Sequence, residues 1–283
     1  MTAPGKLSVV ATPIGNLDDL SPRAIAVLRD AAAIYCEDTR VTGKLAARFG
    51  LSAPRLSCHA HNESQRIEEV VERIARGERV ALVSDAGTPA LSDPGERLVA
   101  AVAAAGLPVV AVPGANAAAA ALSISGIPAV PHLFAGFPPP RRGARRTFFE
   151  AHRERSETLV YFEAPHRLLD SLADAAEILG PRKAMVGREL TKMHEECVRG
   201  TLPEIRDAMA ARPSILGECV VVVEGASASG ARGDVEEEIA RREGSGKPAR
   251  EIAREVSRAS GVPSREVYRR LLERRKREDE GVE

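Results

Sequence analysis

The chain has 283 residues, room for two ordinary domains and an appendage. Apolar residues make up 44% and charged residues 28%, with zero formal net charge, which excludes a disordered chain and a wholesale cationic surface. Four cysteines without metal-type or redox-type spacing, no recognisable signal segment and no apolar run long enough for a bilayer point to a cytoplasmic protein, with no metal and no membrane partner.

Leu7 to Ala11 reads as a buried strand, followed by a Pro/Gly turn. Ser21-Pro22 then opens a helix to about Asp30, a capping side chain before a first-turn proline. Ala31 to Cys36 reads as a strand, and Asp38 to Phe49 as a helix closed by Gly50. His59-Ala60-His61 places two histidines on one strand face, but no further ligand has a matching spacing. Asn62-Glu63 therefore reads as a helix start. The amphipathic stretch Glu63 to Arg76 follows, then a strand Val80 to Ser84, a helix Glu96 to Ala105 and a strand Pro108 to Val112. This alternation predicts a largely parallel sheet with helices on both faces.

A second α/β unit starts with the Ala-rich helix Ala117 to Ile124. A short strand at Leu133 to Ala135, a helix Arg145 to Arg155, a strand Thr158 to Glu163 and a helix Arg167 to Leu179 come next. Strands Ala184 to Glu189 and Glu218 to Glu224 flank a helix at Pro203 to Ala211, and the unbroken Val220 to Val223 marks a central strand. Gly225 to Gly233 reads as a linker to three charged amphipathic helices, the last two separated by Gly261-Val262-Pro263-Ser264 in a helix-turn-helix-like spacing. The expected architecture is two α/β domains, residues 1–116 and 117–228, and a small C-terminal helical domain, residues 233–283.

The turns carry the chemistry. Val83 to Gly95 links a buried strand to a helix and is far richer in Asp, Gly, Pro and Ser than a tight connection needs, so it reads as a binding loop. Within it, Asp93-Pro94-Gly95 reads as the start and brace of the next helix. Ala11 to Leu17 is no dinucleotide fingerprint, and no P-loop occurs. Val112 to Ala117 enters a helix whose small side chains let a ligand lie against the backbone. Glu37-Asp38-Thr39-Arg40, Glu163-Ala164-Pro165-His166-Arg167 and Arg188-Glu189-Leu190-Thr191-Lys192 each set an acid beside a base at a strand end. Phe137 to Thr147 joins a Pro run to Arg141, Arg142, Arg145 and Arg146, and in a chain of zero net charge this clustering marks an anionic partner, nucleic acid first.

In this order, Ala11-Thr12-Pro13-Ile14-Gly15-Asn16-Leu17, Glu37-Asp38-Thr39-Arg40, Ser84-Asp85-Ala86-Gly87-Thr88-Pro89, Pro113-Gly114, Glu163-Ala164-Pro165-His166-Arg167 and Arg188-Glu189-Leu190-Thr191-Lys192 resemble the tetrapyrrole-methylase superfamily. The match is to its branch of ribosomal small-subunit RNA (cytidine-2′-O-)-methyltransferases. The absence of a Gly-Asp-Pro core in the Ser84 to Pro89 turn separates the chain from the porphyrin-precursor branch. The resemblance implies S-adenosylmethionine in a cleft between the two α/β domains, a homodimer, and methylation of a decoding-site cytidine ribose in 16S rRNA.

Carried over by motif, the cofactor is expected at Thr12, Pro13, Ile14, Gly15, Ser84, Asp85, Ala86, Gly87, Thr88, Pro89, Pro113, Gly114, Ala115, Asn116 and Ala117. Glu189, Glu163 and Asp38 are the candidates for a base, with Asp85 a fourth that positions the cofactor. Arg40, Arg188 and Lys192, with the four arginines of the Pro-rich stretch, are the candidates for RNA phosphate. A methyltransferase of small tetrapyrrole-like molecules and a non-catalytic RNA-binding assembly factor are the alternatives.

Overall fold

The computed structural model describes residues 5–59, 62–226, 235–243, 247–260 and 262–280. Strands β1 (Lys6–Val10), β2 (Ala33–Cys36), β3 (Arg55–Ser57), β4 (Arg79–Val83) and β5 (Val109–Val112) form one parallel sheet in the order β3-β2-β4-β1-β5. Alternate residues face opposite ways. Ile34 and Cys36 pack under α1 (Pro22–Arg29) and α2 (Thr39–Phe49), whereas Ala33 and Tyr35 pack under α3 (Glu63–Ala75) and α4 (Glu96–Ala104). Since α1 and α4 lie on opposite faces, the chain leaving the neighbouring strands β1 and β4 is carried to opposite sides of the sheet. Open α/β sheets bind ligands in the crevice this leaves.

The start of α1 follows from Ser21-Pro22: Pro22 occupies the first turn and Ser21 Oγ accepts from Ala24 N–H at 3.1 Å. At α3 the expected local cap gives way to a longer reach. Asn62 makes no side-chain cap to its own helix, its Oδ1 accepting from His59 N–H at 2.8 Å instead. Glu63 is buried, and its Oε1 accepts from Gly95 N–H at 3.1 Å and Leu98 N–H at 3.0 Å, capping α4. His61 lies outside the described residues, among which no group of three His, Cys, Asp or Glu side chains gathers as a metal set.

The second sheet, β6 (His132–Phe134), β7 (Thr158–Glu163), β8 (Lys183–Arg188), β9 (Glu196–Thr201) and β10 (Cys219–Val223), has the order β6-β7-β10-β8-β9. Only β6 and β7 pair in parallel; β10 lies centrally with every residue buried. The Ala-rich α5 (Ala117–Ser125) covers one face, joined by Ile14 from the turn after β1. Helices α6 (Arg142–Ala151), α7 (Leu168–Leu179) and α8 (Leu202–Ala210) cover the other. The edge strands β3 and β9 go beyond the sequence reading. Each is short or half-exposed and carries charged side chains, so neither shows the apolar run of a buried strand.

Helices α9 (Val235–Glu243), α10 (Ala249–Ser260) and α11 (Ser264–Glu280) bury Ile239, Ile252, Val256, Val267 and Leu271 against one another. Most of the expected linker and Gly261 lie outside the described residues.

Candidate active site

The turns at the strand ends converge. Thr12 N–H donates to Gly87 O at 2.8 Å and Gly87 N–H returns to Thr12 O at 3.1 Å, so the turns after β1 and β4 form a small bridge. Gly87 has φ +82°, a conformation glycine adopts without cost. Asp38 N–H donates to Asp85 Oδ1 at 3.0 Å, tying in the turn after β2. Thr88 Oγ1 donates to Ala115 O at 3.2 Å, and Asn116 Oδ1 accepts from Ala119 N–H at 3.1 Å, which fixes the turn after β5 on α5. The second sheet closes the ring: Asn16 N–H donates to Thr191 Oγ1 at 3.1 Å. A Cβ on Gly15 would stand 2.7 Å from that same oxygen, so only glycine lets the two turns meet.

Between these turns lies a cavity of about 360 Å³. One wall carries Asp85, Ala86, Gly87, Thr88, Leu91, Ser92 and Asp93, with Ile14, Asn116 and Ala117 beside it. The opposite wall comes from the second sheet: Phe134, Phe137, Phe162, Glu163, Ala164, Pro165, Leu190, Glu218, Cys219 and Val220. Phe162 meets Phe134 and Phe137 edge-on, at centroid distances of 4.9 and 5.6 Å. A second cavity of about 240 Å³ adjoins the first and takes in Thr12, Pro13, Gly15, Ser84, Lys44 and Lys192. Of the residues expected at the cofactor, Pro89, Pro113, Gly114 and Ala115 line neither cavity; Gly114 instead lets the backbone pack on Ala11.

Three acids in the turns of the first sheet, Glu37, Asp85 and Asp93, form no ion pair among the described residues. Burial, with the neighbouring carboxylates of Glu37, Asp85 and Glu218, pushes Asp93 up to about 6. Burial also raises Asp85 and Glu37. Asp93 lines the cavity, which corrects its reading as a mere helix brace; Gly95 is the residue that starts α4. Asp38 differs from its neighbours. Its carboxylate grips Arg40 at 2.6 Å and is held down at about 2, so it is a weak base.

The acids of the second sheet are committed. Glu163 lies on the same strand face as Tyr161. Its Oε1 accepts from Arg167 Nε at 2.8 Å and Ala164 N–H at 2.9 Å, while its Oε2 is buried without a partner. Glu189 Oε1 accepts from Lys192 Nζ at 2.8 Å and Glu218 N–H at 2.9 Å; Lys192 holds its carboxyl below the usual range. It lines neither cavity. Arg188 is held by Glu196 at 3.2 Å. Left-handed backbone at non-glycine residues, among those described, occurs at Ala90, Ser92, Glu189 and Thr191, in the turns after β4 and β8 that flank the cleft.

The Pro-rich stretch divides. Arg145 is buried and its Nε donates to Asp174 Oδ2 at 2.8 Å, so it is not an outward phosphate contact. Arg146 is forked onto Glu177, both contacts at 2.7 Å. Arg141 and Arg142 face solvent. Phe149, four residues after Arg145 on the same helical face, is the signal for this inward turn, because it is fully buried.

The profile of the Tetrapyrrole (Corrin/Porphyrin) Methylases matches residues 6–206. The chain belongs to this family. It is 44% identical over 223 residues to the Ribosomal RNA small subunit methyltransferase I of Pseudomonas aeruginosa, covering 78% of this chain and 79% of that one. With the protein of the same name from Bacillus subtilis, identity is 40% over 276 residues, covering 93% of each. In fold, the methyltransferase CobJ superposes with a TM-score of 0.60 at 21% identity, over 78% of this chain and 95% of that one. The cobalt precorrin-4 methyltransferase CbiF gives 0.57 at 20% identity, over 77% of this chain and 94% of that one.

This family member is a methyltransferase whose cofactor is S-adenosylmethionine. The main cavity suits that molecule. Its aromatic end, built on Phe134, Phe137 and Phe162, fits a flat purine, and its acidic end, with Asp85 and Asp93, fits a cationic sulfonium and ammonium.

Proposed function

We propose that the protein methylates the ribose 2′-hydroxyl of a decoding-site cytidine in 16S rRNA of the small ribosomal subunit. The observation that carries the reading is the cavity itself, an aromatic wall facing acids without cations, in a chain whose relatives bear the name of a small-subunit rRNA methyltransferase. The homodimer belongs to the same reading and rests on the resemblance. Asp85, Ala86, Gly87, Thr88, Ile14, Asn116 and Ala117 hold the cofactor; Phe134, Phe137 and Phe162, which sequence reasoning passed over, take its purine. When bound, S-adenosylmethionine supplies an electrophilic methyl group on a positively charged sulfur. The protein's own part is to align acceptor oxygen and methyl carbon, exclude water from the aromatic end and take a proton.

Glu189 and Glu163 are braces in this reading, since their carboxylates already serve Lys192, Glu218 N–H and Arg167. Asp38 orients Asp85 through its N–H. Arg141 and Arg142 meet RNA phosphate, and Ala at both reduces the salt dependence of RNA binding. The test is to incubate the protein with labelled S-adenosylmethionine and small subunits lacking this methylation, then map the label. A 2′-O-methyl group on one cytidine is expected. Label on a small tetrapyrrole instead, or RNA binding without cofactor binding, overturns the proposal.

A further inference from the structure

The two cavities meet along one wall, and Ile14, Asp85, Ala86 and Glu218 border both. A methyl group that leaves a cofactor in the larger cavity for an acceptor in the smaller one must pass this wall, since the transfer is an in-line displacement. Two of the four residues can accept a proton. Glu218 is poorly placed for it: its side chain is 74% exposed and its Oε2 accepts from Lys192 Nζ at 3.1 Å. Asp85 has one oxygen pinned by Asp38 N–H at 3.0 Å, which fixes the direction of the other.

The smaller cavity has the features of a nucleoside site. Leu17, Val41 and Leu45 offer an apolar lining for an unstacked base, and the exposed Lys44 offers an ammonium for a phosphate. Enzymes that modify a nucleotide within a folded RNA receive it turned out of the stack, in a pocket of this kind.

Resting on the function proposed above, we infer that the smaller cavity receives the acceptor nucleoside and that Asp85 takes its hydroxyl proton. The ribose oxygen forms its bond to the methyl carbon as the methyl–sulfur bond breaks, and that bond's electron pair stays on sulfur. The hydroxyl proton passes to the Asp85 carboxylate, and from there to solvent. This places Asp85 at the reaction rather than only at the cofactor. Burial raises its carboxyl above the usual range, which strengthens it as a base. The charged and titratable groups around it are Glu37, Asp38 and Arg40 after β2, Cys36 on β2, Asp93 on its own loop, and Glu218 and Lys192 from the second sheet.

The test uses the full chain, small subunits as substrate and S-adenosylhomocysteine as the binding probe. Asp85→Asn is expected to lower kcat about 100-fold or more and to remove the acid limb of its pH profile. Because Asp85 also lines the cofactor cavity, its kcat is read at saturating cofactor, which separates the chemical step from any weaker hold on the probe. Val41→Trp, which fills the smaller cavity, is expected to abolish methylation at saturating cofactor while its affinity for the probe stays within about threefold of wild type. Lys44→Ala, on the surface, should raise KM for the subunit without lowering kcat, and it keeps the test open where Val41→Trp does not fold. Normal kcat in Asp85→Asn, normal methylation in Val41→Trp, or an unchanged KM in Lys44→Ala overturns the inference. Loss of probe binding in Val41→Trp also overturns it, by giving that cavity to the cofactor. A wild-type protein that binds the probe but labels no rRNA overturns the proposed function instead.

Discussion

Acids stand at the strand ends of both sheets, but in opposite company. In the second sheet each has a cationic partner: Glu163 with Arg167, Glu189 with Lys192, Glu196 with Arg188 and Arg212. In the first, Asp85 and Asp93 line the cleft with their carboxyls raised by burial and like charge. An acid beside a base in the sequence thus marks a brace in one half of the molecule. In the proposed function, the chemistry belongs where acids are left without cations. Such acids are costly to hold ionised, and a cationic ligand offsets that cost.

Removing a brace should show the largest effect. Asp174 receives Arg145 at 2.8 Å, with both side chains almost wholly buried. Asp174→Ala leaves the buried guanidinium only its longer contacts, to Asp170 at 3.9 Å and Pro140 O at 3.5 Å, and is expected to cost about 3 kcal/mol in denaturant unfolding. An unchanged midpoint would show that α6 does not depend on the pair. Next, Glu189→Ala removes the acceptor of Lys192 and of Glu218 N–H. It should cost about 1–2 kcal/mol while leaving kcat at saturating substrate nearly intact. A collapse of kcat with stability unchanged would move Glu189 from brace to catalyst.

The smallest effect has the opposite sign. The Asp93 carboxyl sits at about 6 in the fold against 3.8 as a free side chain. The folded state therefore holds this proton more tightly, and its contribution to stability, present below the free value, is lost as pH rises towards 6. Asp93→Asn is expected to stabilise the protein by about 1 kcal/mol at pH 7, a figure discounted for partial exposure, and to do little at about pH 4. Equal effects at both values would break the contrast between the two sheets.

Local chemistry made much of this legible. Ser21-Pro22, Gly50 and the Val220 to Val223 run marked their elements because each signal acts within a few residues. The loop after β4 stood out for the same reason, and it lines the main cavity. What escaped the reading was set at a distance. Phe134, Phe137 and Phe162 became a wall only when β6 and β7 paired. Glu63 looked like a local cap and serves another helix. Arg145 looked like one of four outward cations and turned towards Asp174, seated on α7.

The clasp between Asn16 and Thr191 joins turns 175 positions apart. Each sheet draws its pairings from nearer in sequence, so closing the clasp spans a longer loop than any pairing within a sheet. Whatever binds there grips both halves at once and slows their separation. The seam on which recognition depends is thus a part of the molecule that a bound ligand reinforces.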